Sequence, residues 1–342
     1  MEKSKYKIIH VPLEIAGQVG MICDFTKKAG HHAAGYNYFP NTLKYNRIYE
    51  VSGVEQVKIL EPATKVFDLF HFHNGYTILP GFKDVEMIRD AGKKMIMHHR
   101  GNDVRSRKRS ARWNGYDNPY VYAEGSHPDA DIDRNLRFFA KHMDAAIVQD
   151  FELYHYVIDY YAAEGKSVYM LPRLIDPAKT IPSYPSVHNK RPLIVHAPTN
   201  RLFKGSDIVI KVVEQLKKEI PLDFKLIEGM SHAEALRLYQ EADIIIDQIL
   251  CGAYGNLSVE GMALGKAVIC YVRPDIVATL PSNFPVVSAN PDTLYDRLKE
   301  LALDSERRHT LGRMGRTFIE QYHDGDKIIP KLLAIYGHIL QK

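Results

Sequence analysis

Short runs rich in Val and Ile, each followed by a stretch with apolar residues at helical spacing, recur along the whole 342-residue chain. A strand that is apolar on both faces must be covered on both. Its parallel neighbour can be reached only through a crossover, so this alternation predicts βαβ units around parallel sheets. In the first half, strands are expected at YKIIHV (6–11), VFDLFHF (66–72), KKMIMHH (93–99), AAIVQ (145–149) and SVYML (167–171). In the second half they are expected at PLIVHAP (192–198), DFKLIEG (223–229), DIIIDQ (243–248) and KAVICYV (266–272).

The alternation breaks once, at residues 172–192, where five of the 18 prolines fall within 21 residues. Proline fixes φ and removes a backbone donor, so this segment continues neither a sheet nor a helix and reads as a stiff extended connection. Length alone favours two domains. The expected division is an N-terminal domain over 1–178 and a C-terminal domain over 179–325, with a last helix near 326–342 crossing back onto the first.

Composition narrows the function. With 45% hydrophobic and 25% charged residues the chain reads as a globular protein. The opening apolar run is interrupted by His10, Pro12 and Glu14, so neither a signal segment nor a membrane span is expected there, and the expected compartment is the cytoplasm. Three cysteines without metal-type spacing suit buried thiols in a reducing compartment. Net charge is only +4, but residues 100–113 set six Arg or Lys against one Asp. This basic, aromatic-rich stretch, continued to Tyr122, reads either as a solvated loop or as a face for an anionic glycan or a lipid headgroup. A second basic stripe is absent, so nucleic acid is not expected as a partner.

Several segments place polar residues at expected strand ends, where open α/β sheets bind ligands. In HAPTNRLFKGSDIVIK (196–211), Arg201 and Lys204 stand in a loop before a helix whose N-terminus lies behind Gly205 and Ser206, with Ser206 as the expected cap. Two cations beside unpaired N–H groups suit a diphosphate, although two solvated charges and a cap account for the segment equally well. Ser231 and Glu234 have capping-box spacing and need no ligand. In CGAYGNLSVEGMALGK (251–266), Gly252 and Gly255 permit close backbone approach, Asn256 is the expected cap of a helix from about Leu257, and Glu260 lies one turn inside. Its carboxylate could accept from a vicinal diol, or serve only the helix dipole. In EIAGQVG (14–20), Gly17 allows a turn or a close ligand, and the lack of a G-x-G-x-x-G run argues against a nicotinamide cofactor. His98, His99, Asp103 and Arg105 gather at one strand end beside His71 and His73, without zinc-type spacing. The acidic DADID run (129–133) reads as a helix start, not a metal site.

The Lys-Gly loop before a helix, the Gly-x-x-Gly turn with Glu260, and EGMALGKAVI together resemble the C-terminal half of retaining GT-B glycosyltransferases of family 4. IAGQVG and HHRGNDVR are similar to that family's glycine loop and His-containing strand end. The resemblance implies two Rossmann-like β/α/β domains facing each other across a cleft, a nucleotide-sugar donor as co-substrate, and no cofactor or bound metal. It further implies that Arg201, Lys204 and Gly205 receive the donor diphosphate and that Glu260 holds the ribose. The backbone N–H groups of the turn Tyr254, Gly255, Asn256 and Leu257 would meet phosphate or sugar. His99 would stand by the transferred sugar, Gly17 near phosphate or acceptor, and Asp103 and Arg105 on the acceptor side. Catalysis would rest on His99, Arg201, Lys204 and Glu260. One departure is plain: the family's E-x7-E pattern puts its first acid at position 252, which here is Gly252.

The implied activity is metal-independent, retaining transfer of a hexosyl or N-acetylhexosaminyl group from a UDP- or GDP-sugar. The acceptor would be a glycan, lipid-linked or small-molecule hydroxyl in surface or secondary polysaccharide assembly, with a peripheral contact at the inner membrane face as a further expectation. The missing acid keeps two alternatives open, a non-catalytic nucleotide-sugar-binding subunit and a GT-B sugar epimerase.

Overall fold

The computed structural model describes residues 5–113 and 126–341. The chain divides into two compact units, one of Met1–Ser106, His127–Leu174 and Gly325–Lys342, the other of Arg107–Ser126 and Ile175–Asp324.

The first unit is built on seven strands, β1 (Lys7–Val11), β2 (His32–Asn37), β3 (Tyr49–Glu50), β4 (Leu69–His73), β5 (Lys94–His98), β6 (Ala145–Val148) and β7 (Val168–Met170). Every pair is parallel, in the order β3-β2-β1-β4-β5-β6-β7. Helices α1 (Gln18–Lys28), α2 (Gly53–Val66), α3 (Lys83–Asp90), α5 (Asp129–His142) and α6 (Phe151–Ala163) connect them; the short α4 (Arg107–Trp113) belongs to the second unit. The strand order reverses between β1 and β4, which puts a topological switch point outside their carboxyl ends.

Strand β2 is not foreseen by the Val/Ile pattern, because its sequence is HAAGYN. It pairs beside β1 through small side chains: a Cβ on Gly35 would come within 2.6 Å of Ile48 Cγ2. The acidic run begins α5 as expected, with Asp129 and Asp131 in its first turn.

The second unit carries four parallel strands, β8 (Leu193–His196), β9 (Asp223–Leu226), β10 (Ile244–Ile246) and β11 (Ala267–Ile269), in the order β11-β10-β8-β9. Its switch point lies between β8 and β10. Its helices are α7 (Arg201–Lys204), α8 (Ser206–Leu216), α9 (His232–Glu241), α10 (Asn256–Ala263), α11 (Pro274–Val277), α12 (Leu294–Leu303) and α13 (Ser305–Tyr322). The three isoleucines of β10 show why a parallel strand reads as a continuous apolar run: Ile244 and Ile246 join Val209, Val213 and Leu298 on one face, while Ile245 joins Ala235 and Leu257 on the other. The last helix, α14 (Gly325–Leu340), belongs to the first unit, where Ile328, Leu332 and Tyr336 pack with Ile8, Ile22, Leu69 and Ile96.

The proline-rich segment is extended but is not a free tether. From Ile175 it lies within the second unit, and its carbonyls, which no strand partner serves, accept from side-chain cations and a histidine. Arg316 donates to Pro177 O at 2.8 Å and Thr180 O at 2.5 Å, and His309 Nδ1 contacts Pro185 O at 2.9 Å. Lys266 donates to Ser183 O and Gln240 O, and Arg308, fully buried, to Asn189 O. The front of the basic run is likewise not a solvated face, because Arg100 and Arg105 are buried; its continuation over 114–122 lies outside the described residues. Among the described residues no helix is long and apolar enough to cross a membrane.

A Cβ on Gly312 of α13 would overlap the carbonyl oxygen of Gly265, a backbone atom that cannot rotate away. Gly312→Ala is expected to destabilise the chain by about 1–3 kcal/mol or more, measured by urea unfolding; an unchanged midpoint would refute this close approach.

Candidate functional site

Several charged contacts gather at the carboxyl ends of β8 and β10 in the second unit. After β8 the chain enters α7, whose N-terminus is capped by Asn200 accepting from Leu202 N at 3.0 Å and Phe203 N at 3.3 Å. The expected loop is therefore a helical turn. It ends at Gly205, where φ is +73° and a Cβ would meet Ile249 Cγ1 at 2.6 Å, so only glycine lets α7 turn directly into α8. Ser206 does not cap α8. Its hydroxyl bonds His196 Nε2 at 2.8 Å, and Nδ1 of the same ring contacts Ile246 O at 2.8 Å, tying β8 to β10 and α8.

Lys204 ends α7 with its ammonium 2.5 Å from Asp247 Oδ1 and 3.2 Å from Gln248 Oε1. Asp247 follows β10 directly and is fully buried. Its other oxygen accepts from Gly255 N at 2.9 Å, Ser258 N at 3.2 Å and Ser258 Oγ at 2.7 Å. Asp247, and not Asn256, thus caps α10; Asn256 is already the first helical residue, and its Oδ1 is buried without a hydrogen-bond partner. Gly255 is required by proximity, since a Cβ there would lie 2.7 Å from Asp247 Oδ2. Burial opposes charge on both members of the pair, but the partner's charge and hydrogen bond outweigh it. Lys204 is held above the usual lysine range and Asp247 below the usual carboxylate range.

Two further pairs stand beside this one. Glu260 Oε1 lies 2.6 Å from His232 Nε2, half-shielded at the start of α9. Arg201 makes a bidentate pair with Glu228 at 2.8 and 2.6 Å on the surface after β9. Both expected phosphate-binding cations therefore have internal carboxylate partners. Tyr254 turns its side chain inward, its hydroxyl 3.2 Å from His323 Nε2, and Leu257 joins the core, so any ligand contact from these two would come from the backbone.

The absence of an acid at Gly252 has a local cause. Its φ is +78° and a Cβ would come within 2.8 Å of Arg273 Cγ, so backbone and packing both exclude a side chain.

In the first unit, His99 follows β5 and is 1% exposed. Its Nδ1 lies 2.7 Å from Asp103 Oδ2 and its Nε2 3.2 Å from the Tyr161 hydroxyl. Asp103 also accepts from Arg100 N at 3.0 Å and Gly101 N at 2.8 Å, and despite burial its carboxyl is held below the ordinary range by His99 and these donors. Arg105 forms a buried bidentate pair with Glu152, Nη2 to Oε2 at 2.6 Å. The two residues expected on the acceptor side have internal partners, with Asp103 positioning His99.

Gly17 caps α1 with φ +71°, and the Tyr45 ring would stand 3.0 Å from a Cβ there. The N–H groups at this helix start are taken by Glu14, which accepts from Ile15 at 2.7 Å, Val19 at 3.0 Å and Gly20 at 2.9 Å. Burial nevertheless pushes the Glu14 carboxyl above its usual range. Beneath, His10, His71, His73 and His98 line one face of β1, β4 and β5, all at most 1% exposed. Burial lowers all four, with Arg100 adding to the effect, and brings His10 to about 3.

Asp247, Gln248, Ser258, His232 and Glu228 are absent from the sequence-based set. Asp247 and Gln248 carried a usable signal, two polar residues directly after a buried Ile-Ile-Ile strand. The others carried none, because their partners are distant in sequence.

No family model matches the chain, and no curated protein matches it. Solved structures do. Sucrose-phosphate synthase from Thermosynechococcus elongatus is 13% identical, with 98% of this chain and 100% of that one covered at a TM-score of 0.71. A glycosyltransferase from Rickettsia africae is 16% identical, with 99% and 100% covered at 0.68. HepE of Anabaena, solved in complex with UDP-glucose, is 13% identical, with 96% and 99% covered at 0.63. At these identities the likeness shows the fold: two parallel α/β sheets of the GT-B type.

The Lys204–Asp247 pair has a stability window. Lys204 contributes below the unfolded lysine range and loses this as pH rises through its raised folded value; Asp247 contributes above the unfolded carboxylate range and loses this as pH falls through its lowered value. The contribution is fully present between about pH 4 and 10. Lys204→Met should cost about 3–5 kcal/mol at pH 7 by leaving a buried carboxylate unpaired. Lys204→Met combined with Asp247→Asn should cost less than Lys204→Met alone in urea unfolding; a double variant no more stable than the single one would sink this account.

Proposed function

We propose that the chain is a retaining glycosyltransferase that moves a hexosyl or N-acetylhexosaminyl group from a UDP- or GDP-sugar to a hydroxyl acceptor, with no metal taking part in transfer. The observation that carries this reading is Lys204, braced by Asp247 over the N-terminus of α10, beside the His232–Glu260 pair at the switch point of the four-stranded sheet. Parallel α/β sheets bind ligands at such points. The shared fold with transferases, one of them solved with UDP-glucose, adds support.

In this reading Lys204 meets the diphosphate as it leaves, and Asp247 positions the ammonium. Arg201, exposed and able to exchange Glu228 for a phosphate, adds a second charge. Glu260 accepts from the ribose hydroxyls, its carboxylate oriented by His232. His99, held by Asp103 and Tyr161, is assigned to the transferred sugar. Leaving-group charge then does most of the catalysis, and no strong base is required. The acceptor is a glycan, lipid-linked or small hydroxyl compound of surface or secondary polysaccharide assembly. A second reading, a nucleotide-sugar-binding subunit without turnover, is favoured by one observation, the exclusion of an acid at Gly252.

Calorimetric titration with UDP, GDP and their hexose derivatives tests the reading. Arg201→Ala and Glu260→Gln should each weaken binding of the preferred nucleotide-sugar about 10–100-fold, the loss of one charge-assisted hydrogen bond. Absence of binding by every nucleotide would refute it. His99→Ala should lower donor turnover at least about 100-fold while nucleotide affinity stays at the wild-type level. Binding without hydrolysis or transfer across a broad acceptor set would select the second reading.

A further inference from the structure

The first unit holds a cluster that the transfer reaction does not use. At the carboxyl end of β4, His71 and His73 stand two residues apart on one face of the strand, and His10 stands on the same face of β1, paired in register with His71. All three are fully buried. This is an odd use of a core position, because a buried polar nitrogen without a partner is costly. Yet His71 Nε2 and both ring nitrogens of neighbouring His98 lack hydrogen-bond partners. Among the described residues, this is the group of His, Cys, Asp and Glu side chains whose ligand atoms converge, one from each residue within 4.8 Å of the other two.

We propose that His10, His71 and His73 hold a first-row divalent metal ion, Zn2+ by preference, as a structural clamp between β1 and β4. Two imidazoles from alternate residues of one strand and a third from the adjacent strand can converge on one ion, and three neutral histidines are an established zinc donor set. His10 Nδ1 and His73 Nε2 are 3.1 Å apart. That is near the roughly 3.3 Å edge of a tetrahedron with metal–nitrogen bonds of about 2.0–2.1 Å. The three ligand atoms together lie within 4.8 Å, and the His71 and His73 rings are stacked at 4.5 Å and 10°, so loading turns the His71 ring out of that stack and draws its Nε2 inward. The other partner of His71 is in place: its Nδ1 lies 2.7 Å from the Tyr336 hydroxyl of α14, which anchors Nδ1 and leaves Nε2 for the ion. His98 offers a fourth imidazole, its ring centroid 5.4 Å from that of His71 and 5.6 Å from that of His73.

Arg100 opposes the ion, its guanidinium 3.4 Å from His73 Nδ1. A site of imidazoles under a cation discriminates against weakly coordinating ions, so Zn2+, Ni2+ and Cu2+ bind and Mg2+ and Mn2+ do not. Burial closes the ion off from substrate and makes loading part of folding. The clamp is thus compatible with transfer that needs no metal, and its readout is independent of activity.

The test is elemental analysis of the full-length chain as purified and after refolding with Zn2+ or with chelator. The expected result is about one equivalent of Zn2+ per chain, and a lower Tm for the chelator-refolded protein. A Co2+-refolded sample should show the visible absorption of a four-coordinate nitrogen site. His10→Gln and His73→Gln should abolish stoichiometric binding, and Tyr336→Phe should weaken it about 10–100-fold. Less than about 0.1 equivalent after refolding with Zn2+, or full occupancy retained in His10→Gln and His73→Gln, overturns the proposal. Should those variants not fold, the wild-type stoichiometry and the Co2+ spectrum decide it.

Discussion

The carboxylate of Asp247 is the contact on which the second unit's candidate site depends. One of its oxygens holds the Lys204 ammonium at 2.5 Å, and the other receives the first N–H groups of α10 and the Ser258 hydroxyl. A buried carboxylate is tolerable only when its charge and lone pairs are met, and here every partner belongs to an element that starts or ends at the same sheet edge. The acid therefore fixes α7 against α10 and aims the lysine. The same contact explains Gly255, which must be glycine because the acid leaves no room for a Cβ.

Internal carboxylates recur in this role. Glu14 occupies the N-terminus of α1, and Asp103 gathers the backbone of Arg100 and Gly101 while holding His99. Parallel sheets deliver strand ends and helix starts to one side, where unpaired N–H groups and positive dipole ends accumulate. In this chain acids meet that side. Arg201, Lys204 and Glu260, expected as open ligand groups, are for the same reason each paired within the fold.

Legibility followed chemistry. Strands that bury branched apolar residues on both faces, such as β8, β10 and β11, were visible because nothing else in a sequence looks like Ile-Ile-Ile between helical stretches. Strand β2 was not, because Ala33 and Gly35 pack closely on Ile48 and small residues carry no strand signature. The capping box at Ser231 involves residues three apart and could be read locally; the structure adds a second at Ser52, not singled out from the sequence. The caps assigned to Ser206 and Asn256 failed because the residues that decide them stand on other elements: His196 at the end of β8 takes the Ser206 hydroxyl, and Asp247 after β10 caps α10 in place of Asn256.

By itself the sequence determined the fold class, the restart of the βαβ pattern after the proline-rich segment, and the neighbourhoods of Lys204, Glu260 and His99. These rest on periodicity, turn residues and position relative to strand ends, all of which are local. Only the tertiary structure decided what each charged group faces: that Lys204 answers to Asp247, that His99 is clamped between Asp103 and Tyr161, that Gly252 excludes an acid through its φ and the stem of Arg273, and that three histidines from two strands meet in the core. Those outcomes depend on register between strands and on distances of a few ångströms, and register is set by the packing of the whole sheet.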